Sequence, residues 1–151
     1  MRFTMTAKNY NKFENSNKNI VEEFIEHFKR NNMSTKTQAD NPEKLVIENS
    51  TVAWQEVADG VKRKIMAYGD QIMLVRVAFE AGAIGVLHQH YHVQVTNVES
   101  GVFEVEIDCE KQIVKAGDVF YVPSNLMHGA VCIEQGVLID VFSPKREDFI
   151  Q

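Results

Sequence analysis

The chain has 151 residues, 44% hydrophobic and 25% charged, a composition typical of one globular domain rather than of a disordered or membrane-spanning chain. Its formal net charge of −5 argues against sequence-independent nucleic acid binding, which depends on clustered Lys and Arg. Because the N-terminus has no apolar signal segment and no stretch approaches a membrane span, we predict a cytoplasmic protein with neither a membrane nor a nucleic acid partner.

Residues 1–44 are predicted to form an N-terminal extension with one short amphipathic helix and a polar linker. In NIVEEFIEHFKR the apolar residues recur at helical spacing, Asn19 and Glu22 resemble a capping box, and two basic residues suit the C-terminal end of the helix dipole. The segment NNMSTKTQADNPEK that follows is typical of a linker. Met33 leaves two interpretations open, in which residues 1–32 are either an appendage or an upstream start read in error.

Residues 45–151 show the period of two that indicates β-strands. Many short strands joined by Gly, Asp or Asn are typical of an all-β sandwich or barrel. The two cysteines, Cys109 and Cys132, lack CxxC spacing and are predicted to be buried, reduced thiols rather than a disulfide. The predicted strand runs are LVIENSTVAW, VKRKIMAY, QIMLVRVAF, GVFEVEI, QIVKA and DVFYVP.

Four of the five histidines fall in two short windows, GAIGVLHQHYHVQVTNVESG and GDVFYVPSNLMHGAVC. Side chains two residues apart on a strand share a face, so His88, His90 and, with regular pairing, Gln94 are predicted to point the same way. His128, on a second strand folded back beside the first, completes a set of four donors. Three imidazoles and an amide oxygen suit one divalent transition metal such as Zn, Ni, Mn or Fe. The alternative is that these histidines are exposed or are hydrogen-bonded core groups.

The neutral amide of Gln94 has an electrostatic consequence for such a site. Three imidazoles and an amide leave both positive charges of a divalent ion uncompensated, which predicts a bound anion. The absence of a carboxylate from the ligand set argues against an oxygen-activating iron centre. A focused positive potential is compatible with the overall charge of −5.

The two histidine windows resemble the two motifs of the cupin superfamily. The first matches G(X)5HXH(X)3–4E(X)6G, with Gln94 in the Glu position. The second matches the partner motif at its Gly, Pro and His, while Asn125 replaces a Gly and Cys132 replaces the final Asn. The resemblance implies a single-domain cupin, a double-stranded β-helix or jelly-roll barrel, over residues 45–151. The other matched positions are Gly82, Gly101, Gly117 and Pro123.

From about Trp54 to Ile150 the chain is similar to the KdgF family of pectin-degradation proteins, carried by GVKRKIMAYGDQIMLVRVAFEAGAIG, KAGDVFYVP and GVLIDVFSPKREDFI. The resemblance implies a metal-dependent enzyme, forming a homodimer, that converts 4,5-unsaturated monouronates from pectin or alginate lysis into their linear keto form. An Asp and an Arg of DVFSPxREDF line the site in that family, and they correspond to Asp140 and Arg146, with Phe142 between them. Val93, where a Glu is common, leaves the substrate preference open.

The predicted roles agree with the chemistry of these side chains. Asp140, flanked by apolar residues, suits a general acid/base, Arg146 a clamp on the substrate carboxylate, and Phe142 a surface for the sugar ring. The alternatives are a turn-stabilising Asp, a solvated charged run and a core Phe. His92 and Arg76 are further candidates for substrate binding. Side-chain alternation alone does not decide which basic residues reach the cavity, because a bulge reverses it; these are Lys62, Arg63, Lys64 and Arg76.

Two other functions stay open at this point. A cupin of this kind could bind a small anionic sugar acid through its metal without turnover, or it could be an oxygen-using enzyme. The sequence does not decide between galacturonate-derived and mannuronate- or guluronate-derived substrates.

Overall fold

The computed structural model describes residues 45–150, so the predicted N-terminal helix and linker lie outside the described residues. This part of the chain is built from strands that all pair antiparallel, which confirms the all-β prediction. Two short 3-10 helices, Asn49–Thr51 and Glu147–Phe149, flank the strands. The strands are β1 (Gln55–Ala58), β2 (Val61–Gly69), β3 (Ile72–Phe79), β4 (Ile84–His88), β5 (Val93–Ile107), β6 (Glu110–Lys115), β7 (Val119–Val122) and β8 (His128–Ser143).

The first predicted strand run, LVIENSTVAW, is wrong. It forms a bend and the 3-10 helix Asn49–Thr51. The cause is the polar centre of the run, where the Thr51 hydroxyl donates to the Glu48 carbonyl at 2.8 Å and closes a local turn that competes with strand pairing. The other five predicted runs all lie largely within strands.

The long strands β5 and β8 pair along nearly their whole length and contribute to both halves of the barrel. The C-terminal half of β8 pairs with β3, which continues the sheet to β2 and β1, while the N-terminal half pairs with β4. In β5 the order of the halves is reversed, since Gln94–Asn97 pair with β7 and Val102–Ile107 with β6. The described residues therefore form two half-sheets that share β5 and β8.

The two half-sheets meet at a bend near the middle of β5 and β8. Register shifts between Val98 and Phe103 reverse the alternation, so that the buried positions change from even numbers, ending at Val98, to odd numbers, starting at Phe103. Gly101 and Gly136 lie at this bend, and a Cβ on Gly136 would be 2.1 Å from the Ser100 carbonyl oxygen. Only glycine allows the two backbones to approach so closely.

The core lies between the inner faces of the two half-sheets. Phe79 of the larger half packs edge-to-face on Phe103 of the smaller half, with ring centroids 5.5 Å apart. Both cysteines are free thiols, and Cys132 is buried in this cluster; Cys109 is exposed, so its predicted burial is wrong. In residues 45–150 no helix has the length and apolar character needed to cross a membrane.

Candidate metal site

An open cavity of about 360 Å³ reaches into the barrel beside the histidines. Side chains of β1 to β4, mostly apolar but including Arg63 of β2, form one wall, and polar groups from β4, β5, β8 and the C-terminal segment converge on the other. The polar or aromatic residues that line it are Arg63, Phe79, His88, Gln94, Asp140, Phe142, Arg146 and Phe149.

Three histidines meet at the start of β8. His88, the last residue of β4, is the register partner of His128, the first residue of β8, and their ring centroids are 4.3 Å apart. His90 lies in the following loop with its ring centroid 4.9 Å from that of His128. One potential ligand atom from each ring lies within 4.8 Å of the others, so these three residues could hold a metal ion.

The prediction that a single strand brings these donors together is wrong. His88, His90 and Gln94 do not lie on one strand, because the chain leaves β4 at His88 and re-enters a strand, β5, at Val93. β4 belongs to the smaller half-sheet, whereas the start of β5 pairs with the end of β8 in the larger one. The loop between them connects the two halves and brings the donors together from a strand end, a loop and a second strand.

Backbone hydrogen bonds fix the chemistry of each imidazole. In all three rings Nδ1 lies within hydrogen-bond distance of a carbonyl oxygen, so Nδ1 carries the proton and Nε2 keeps a lone pair. Nε2 of His128 is buried and has no hydrogen-bond partner among residues 45–150, as expected for an atom that coordinates a cation. The three contacts are His88 to Val86 (2.9 Å), His90 to His92 (3.0 Å) and His128 to Leu126 (2.8 Å).

The side-chain oxygen of Gln94 faces the same point. Its amide nitrogen donates to the Thr96 hydroxyl at 2.8 Å and to the Asp140 carboxylate at 3.3 Å, and its oxygen lies 3.2 Å from Nε2 of His90. Two lone-pair atoms at this distance repel each other unless a cation lies between them. Neighbouring ligands of an ion with bonds of about 2.1 Å are themselves about 3 Å apart. The donor set therefore fits a divalent metal.

The environment keeps the imidazoles of His90 and His128 neutral, which metal binding requires. Burial lowers the pKa of His90 to about 4, and the positive charge of Arg146 and the neighbouring His128 add to the effect. Burial also lowers the pKa of His128, although the hydrogen bond to Leu126 opposes the shift. Both rings are available as ligands at neutral pH.

Asp140 is a buried carboxyl group next to these donors. It is the register partner of Thr96, whose hydroxyl donates to it at 2.7 Å. Burial raises the pKa of Asp140 to about 6, while the hydrogen bonds from Thr96 and Gln94 and the charge of Arg146 counteract the rise. A carboxyl with a pKa near neutrality can both accept and donate a proton at working pH.

Phe142 and Arg146 lie in the cavity wall, as predicted for a site in the C-terminal segment. Nε and Nη2 of Arg146 donate to both oxygens of Asp148, at 2.9 and 2.7 Å. The guanidinium carbon is 5.3 Å from the ring centroid of Phe142 and 4.3 Å from that of Phe149. Arg146 is thus a buried cation whose planar fork is already engaged.

His92 does not line the cavity. Its ring is buried, its Nε2 lies 3.0 Å from the Lys145 carbonyl oxygen, and the ring stacks on Tyr91 with centroids 3.9 Å apart. The Tyr91 hydroxyl in turn donates to Glu147 at 2.9 Å. His92 therefore contacts the C-terminal segment that carries Arg146, and its predicted substrate contact stays a prediction.

Arg76 also differs from its prediction. It faces outward, because its register partner Lys64 lies on the outer face, where Lys64 donates to the Asn49 carbonyl at 2.8 Å. Arg76 forms a close ion pair with Glu99 and donates to the Asn49 side chain at 2.8 Å. Its predicted substrate contact is corrected, since the intervening sheet separates it from the cavity.

Two residues of the site, Thr96 and Phe149, had no role assigned from the sequence. Thr96 donates to Asp140, and Phe149 lines the cavity. Arg63 was one of four basic residues among which side-chain alternation did not decide, because a bulge reverses it, and the structure places it in the cavity wall. Phe149 lies in the DVFSPxREDF stretch, but its place in the cavity depends on how the chain folds back after β8.

The motif departures have local explanations. Asn125 has φ 62°, in the left-handed region that Asn tolerates better than most residues, and its N–H donates to the His90 carbonyl at 2.7 Å. Asn thus performs the backbone role of the motif's Gly while supporting the ligand loop. Cys132, in the place of the motif's Asn, is a buried core residue.

Comparison with known proteins agrees with this geometry. A family model described as the cupin domain matches residues 75–142. The pectin degradation protein KdgF of Dickeya dadantii (strain 3937) is 52% identical over 99 residues, which are 64% of this chain and 90% of that protein.

Two solved structures are also similar. The structure of KdgF from Halomonas sp. has a TM-score of 0.68 and 42% identity, and the match covers 70% of this chain and 98% of that one. An RmlC-like cupin from Shewanella frigidimarina NCIMB 400 has a TM-score of 0.69 and 38% identity, over 71% of this chain and 96% of that one.

Proposed function

The chain belongs to the cupin family and, within it, to the group related to KdgF, and from this premise we propose that it converts 4,5-unsaturated monouronates into their linear keto form with the help of a divalent metal. The observation that carries the proposal is the buried Asp140 carboxyl beside Gln94, whose amide oxygen faces the three histidines. This arrangement combines a proton-transfer group with a cation site in one cavity. The Dickeya relative is named a pectin degradation protein, which supports a substrate derived from pectin.

We propose that the metal is held by His88, His90, Gln94 and His128. The three neutral imidazoles and the amide oxygen suit Zn, Ni, Mn or Fe. When bound, such an ion supplies Lewis-acid polarisation of the substrate's oxygens and charge compensation for its anionic form.

Asp140 is proposed as the group that moves the proton. In its ionised form it accepts the proton of the anomeric hydroxyl, the bond between the anomeric carbon and the ring oxygen breaks, and an aldehyde and an enolate result. The protonated Asp140 then returns that proton to carbon 4, and the enolate becomes the keto group at carbon 5. The sequence is an isomerisation that balances without another reactant, and it needs one group with a pKa near the working pH.

Arg146 and Phe142 are proposed to act around the reacting atoms. Asp148 already holds the Nε and Nη2 atoms of Arg146, so Arg146 contributes its charge and its remaining Nη1 donors to the enolate oxygen rather than the full fork predicted from the sequence. Phe142, buried beneath that guanidinium, supplies an apolar surface for the sugar ring.

Direct measurement of turnover tests the proposal. Purified metal-loaded protein is mixed with unsaturated galacturonate produced by a pectate-degrading lyase, and the ultraviolet absorbance of the conjugated double bond is followed. We expect absorbance loss well above the spontaneous rate and in proportion to protein concentration. Loss at the spontaneous rate, with sugar-acid binding retained, would instead identify a non-catalytic binding module.

A further inference from the structure

Arg63 is a cation in the cavity wall to which neither the metal site nor the proton transfer assigns a role. It lies on β2 between Val61 and Ile65, and its register partner is Val77 of β3. These neighbours belong to the inner face, since Val61 and Val77 contribute to the core. Arg63 therefore faces the cavity that also contains Asp140 and Arg146.

Most N–H groups of the Arg63 guanidinium donate to no described residue. Its carbon lies 3.9 Å from the ring centroid of Phe149, and its one hydrogen bond within the described part of the chain runs from Nε to the Gln55 side-chain oxygen at 3.4 Å. Among the described residues it forms no ion pair. Stacking uses the face of the guanidinium and leaves the N–H groups at its edge free, so Nη1 and Nη2 can still bind an acceptor.

Arg146 stacks on the same ring, but two of its nitrogen atoms already donate hydrogen bonds. Its guanidinium also lies over Phe149, but both oxygens of Asp148 occupy its Nε and Nη2 donors. A carboxylate of a ligand that sought a bidentate contact with Arg146 would have to displace Asp148. Within residues 45–150 no carboxylate forms an ion pair or a hydrogen bond with Arg63, so a ligand would displace none of them.

The charges around Arg63 favour an anion. Burial lowers the pKa of Arg63, the negative charge of Asp148 opposes this, and the positive charge of Arg146 adds to it. The cation is thus partly desolvated and lies next to a like charge. A bound carboxylate would compensate both guanidinium groups in a cavity where solvent screening is reduced.

We propose that Arg63, stacked on Phe149, forms a carboxylate subsite that binds the acid group of a uronate through a bidentate contact. The identity of the ligand as a uronate rests on the proposed function, whereas the subsite itself rests on the geometry of Arg63. In this arrangement the acid group is held at β2, and the sugar ring extends toward Asp140 and the histidines.

Calorimetric titration of galacturonate and of galactose into metal-loaded protein tests the subsite, because the two sugars differ in the carboxylate. Wild-type protein is expected to bind galacturonate more tightly than galactose. Arg63→Gln should weaken galacturonate binding by about 10- to 100-fold and leave galactose unchanged, as expected for the loss of a charge-assisted bidentate contact. Lys62→Gln is the matched control, since it removes the same charge one residue away; its Nζ lies 5.6 Å from the outer-face Trp54 ring, and it should change binding less than about twofold.

Arg63→Lys separates charge from geometry. It keeps the charge but loses the planar fork, and we expect an intermediate loss. A wild-type protein without carboxylate preference, or an Arg63→Gln protein that keeps it, would overturn the proposal. Turnover in the same samples separates the two proposals, because Arg63-dependent binding without turnover rejects only the enzymatic function. Turnover with an unchanged KM in Arg63→Gln rejects only the subsite.

Discussion

At the residue scale, the proposed chemistry depends on a contrast between two neighbouring side chains. Gln94 is neutral and directs its oxygen to the histidines, whereas Asp140 is ionisable and accepts hydrogen bonds from Gln94 and Thr96. The Gln94 amide therefore lies between the Asp140 carboxylate and the cation site, with its nitrogen on one and its oxygen toward the other. For each of the two side chains we predict the effect of exchanging the amide and the carboxyl group.

Asp140→Asn keeps the shape of the side chain and removes its ability to exchange a proton. We expect turnover of unsaturated galacturonate to fall by about 100-fold or more, with metal content unchanged. The measurement is the initial rate of absorbance loss alongside elemental analysis of the same sample. Asp59→Asn, a change of an exposed turn residue, is the control and should retain full activity. Wild-type rates in Asp140→Asn would remove Asp140 from the mechanism.

Gln94→Glu introduces the carboxylate of the common cupin motif. We expect metal affinity to increase by about tenfold, because a charged ligand compensates the cation. Turnover should fall, since the new carboxylate lies beside Asp140 and replaces a hydrogen-bond donor with an acceptor. Competition with a chelator of known affinity measures the first effect. Weaker metal binding by Gln94→Glu would show that Gln94 is not a ligand.

At the element scale, the bend shared by β5 and β8 positions the site. It reverses the alternation of β5, so that Gln94 and Thr96 face inward in one half and Phe103 and Val105 in the other. Without the bend, one half of β5 would expose its apolar residues. The close contact of the two backbones at Gly136 makes this bend possible.

Gly136→Ala should destabilise the barrel by about 3 kcal/mol, because the new Cβ would overlap the Ser100 carbonyl and the backbones would have to separate. Urea denaturation followed by tryptophan fluorescence measures the loss. Gly69→Ala is the matched control, since a Cβ there meets no atom within 4 Å, and its effect should stay within about 0.5 kcal/mol. Equal stability of the two variants would contradict the role assigned to the bend.

Sequence alternation predicted these elements unevenly. It correctly identified β2 and β3 and placed Asp140 and Phe142 on one face of β8. It failed at the histidines, where donors thought to share one strand come from a strand end, a loop and the next strand. Alternation describes positions within a strand, and the point where a strand ends depends on pairing with distant segments.

At the scale of the whole molecule, the motif spacing sufficed for the fold class and for the cluster of three histidines, both of which the structure confirms. The motif spacing did not predict which residues form the cavity wall. Arg63 and Phe149 are 86 positions apart in the sequence and meet only because the segment after β8 folds back to β2. Arg76 was misplaced for the related reason that a basic residue on a strand can face either side of the sheet.

The homodimer, the cytoplasmic location and the roles of residues 1–44 stay predictions.

The most direct test of the central claim, that the three histidines and Gln94 bind one divalent ion, is a metal titration of chelator-stripped full-length protein followed by elemental analysis. We expect wild-type protein to take up one ion per chain and His90→Ala, which lacks one of four ligands, to retain almost none after dialysis. Full occupancy in His90→Ala, or no uptake by the wild-type protein, would contradict the account.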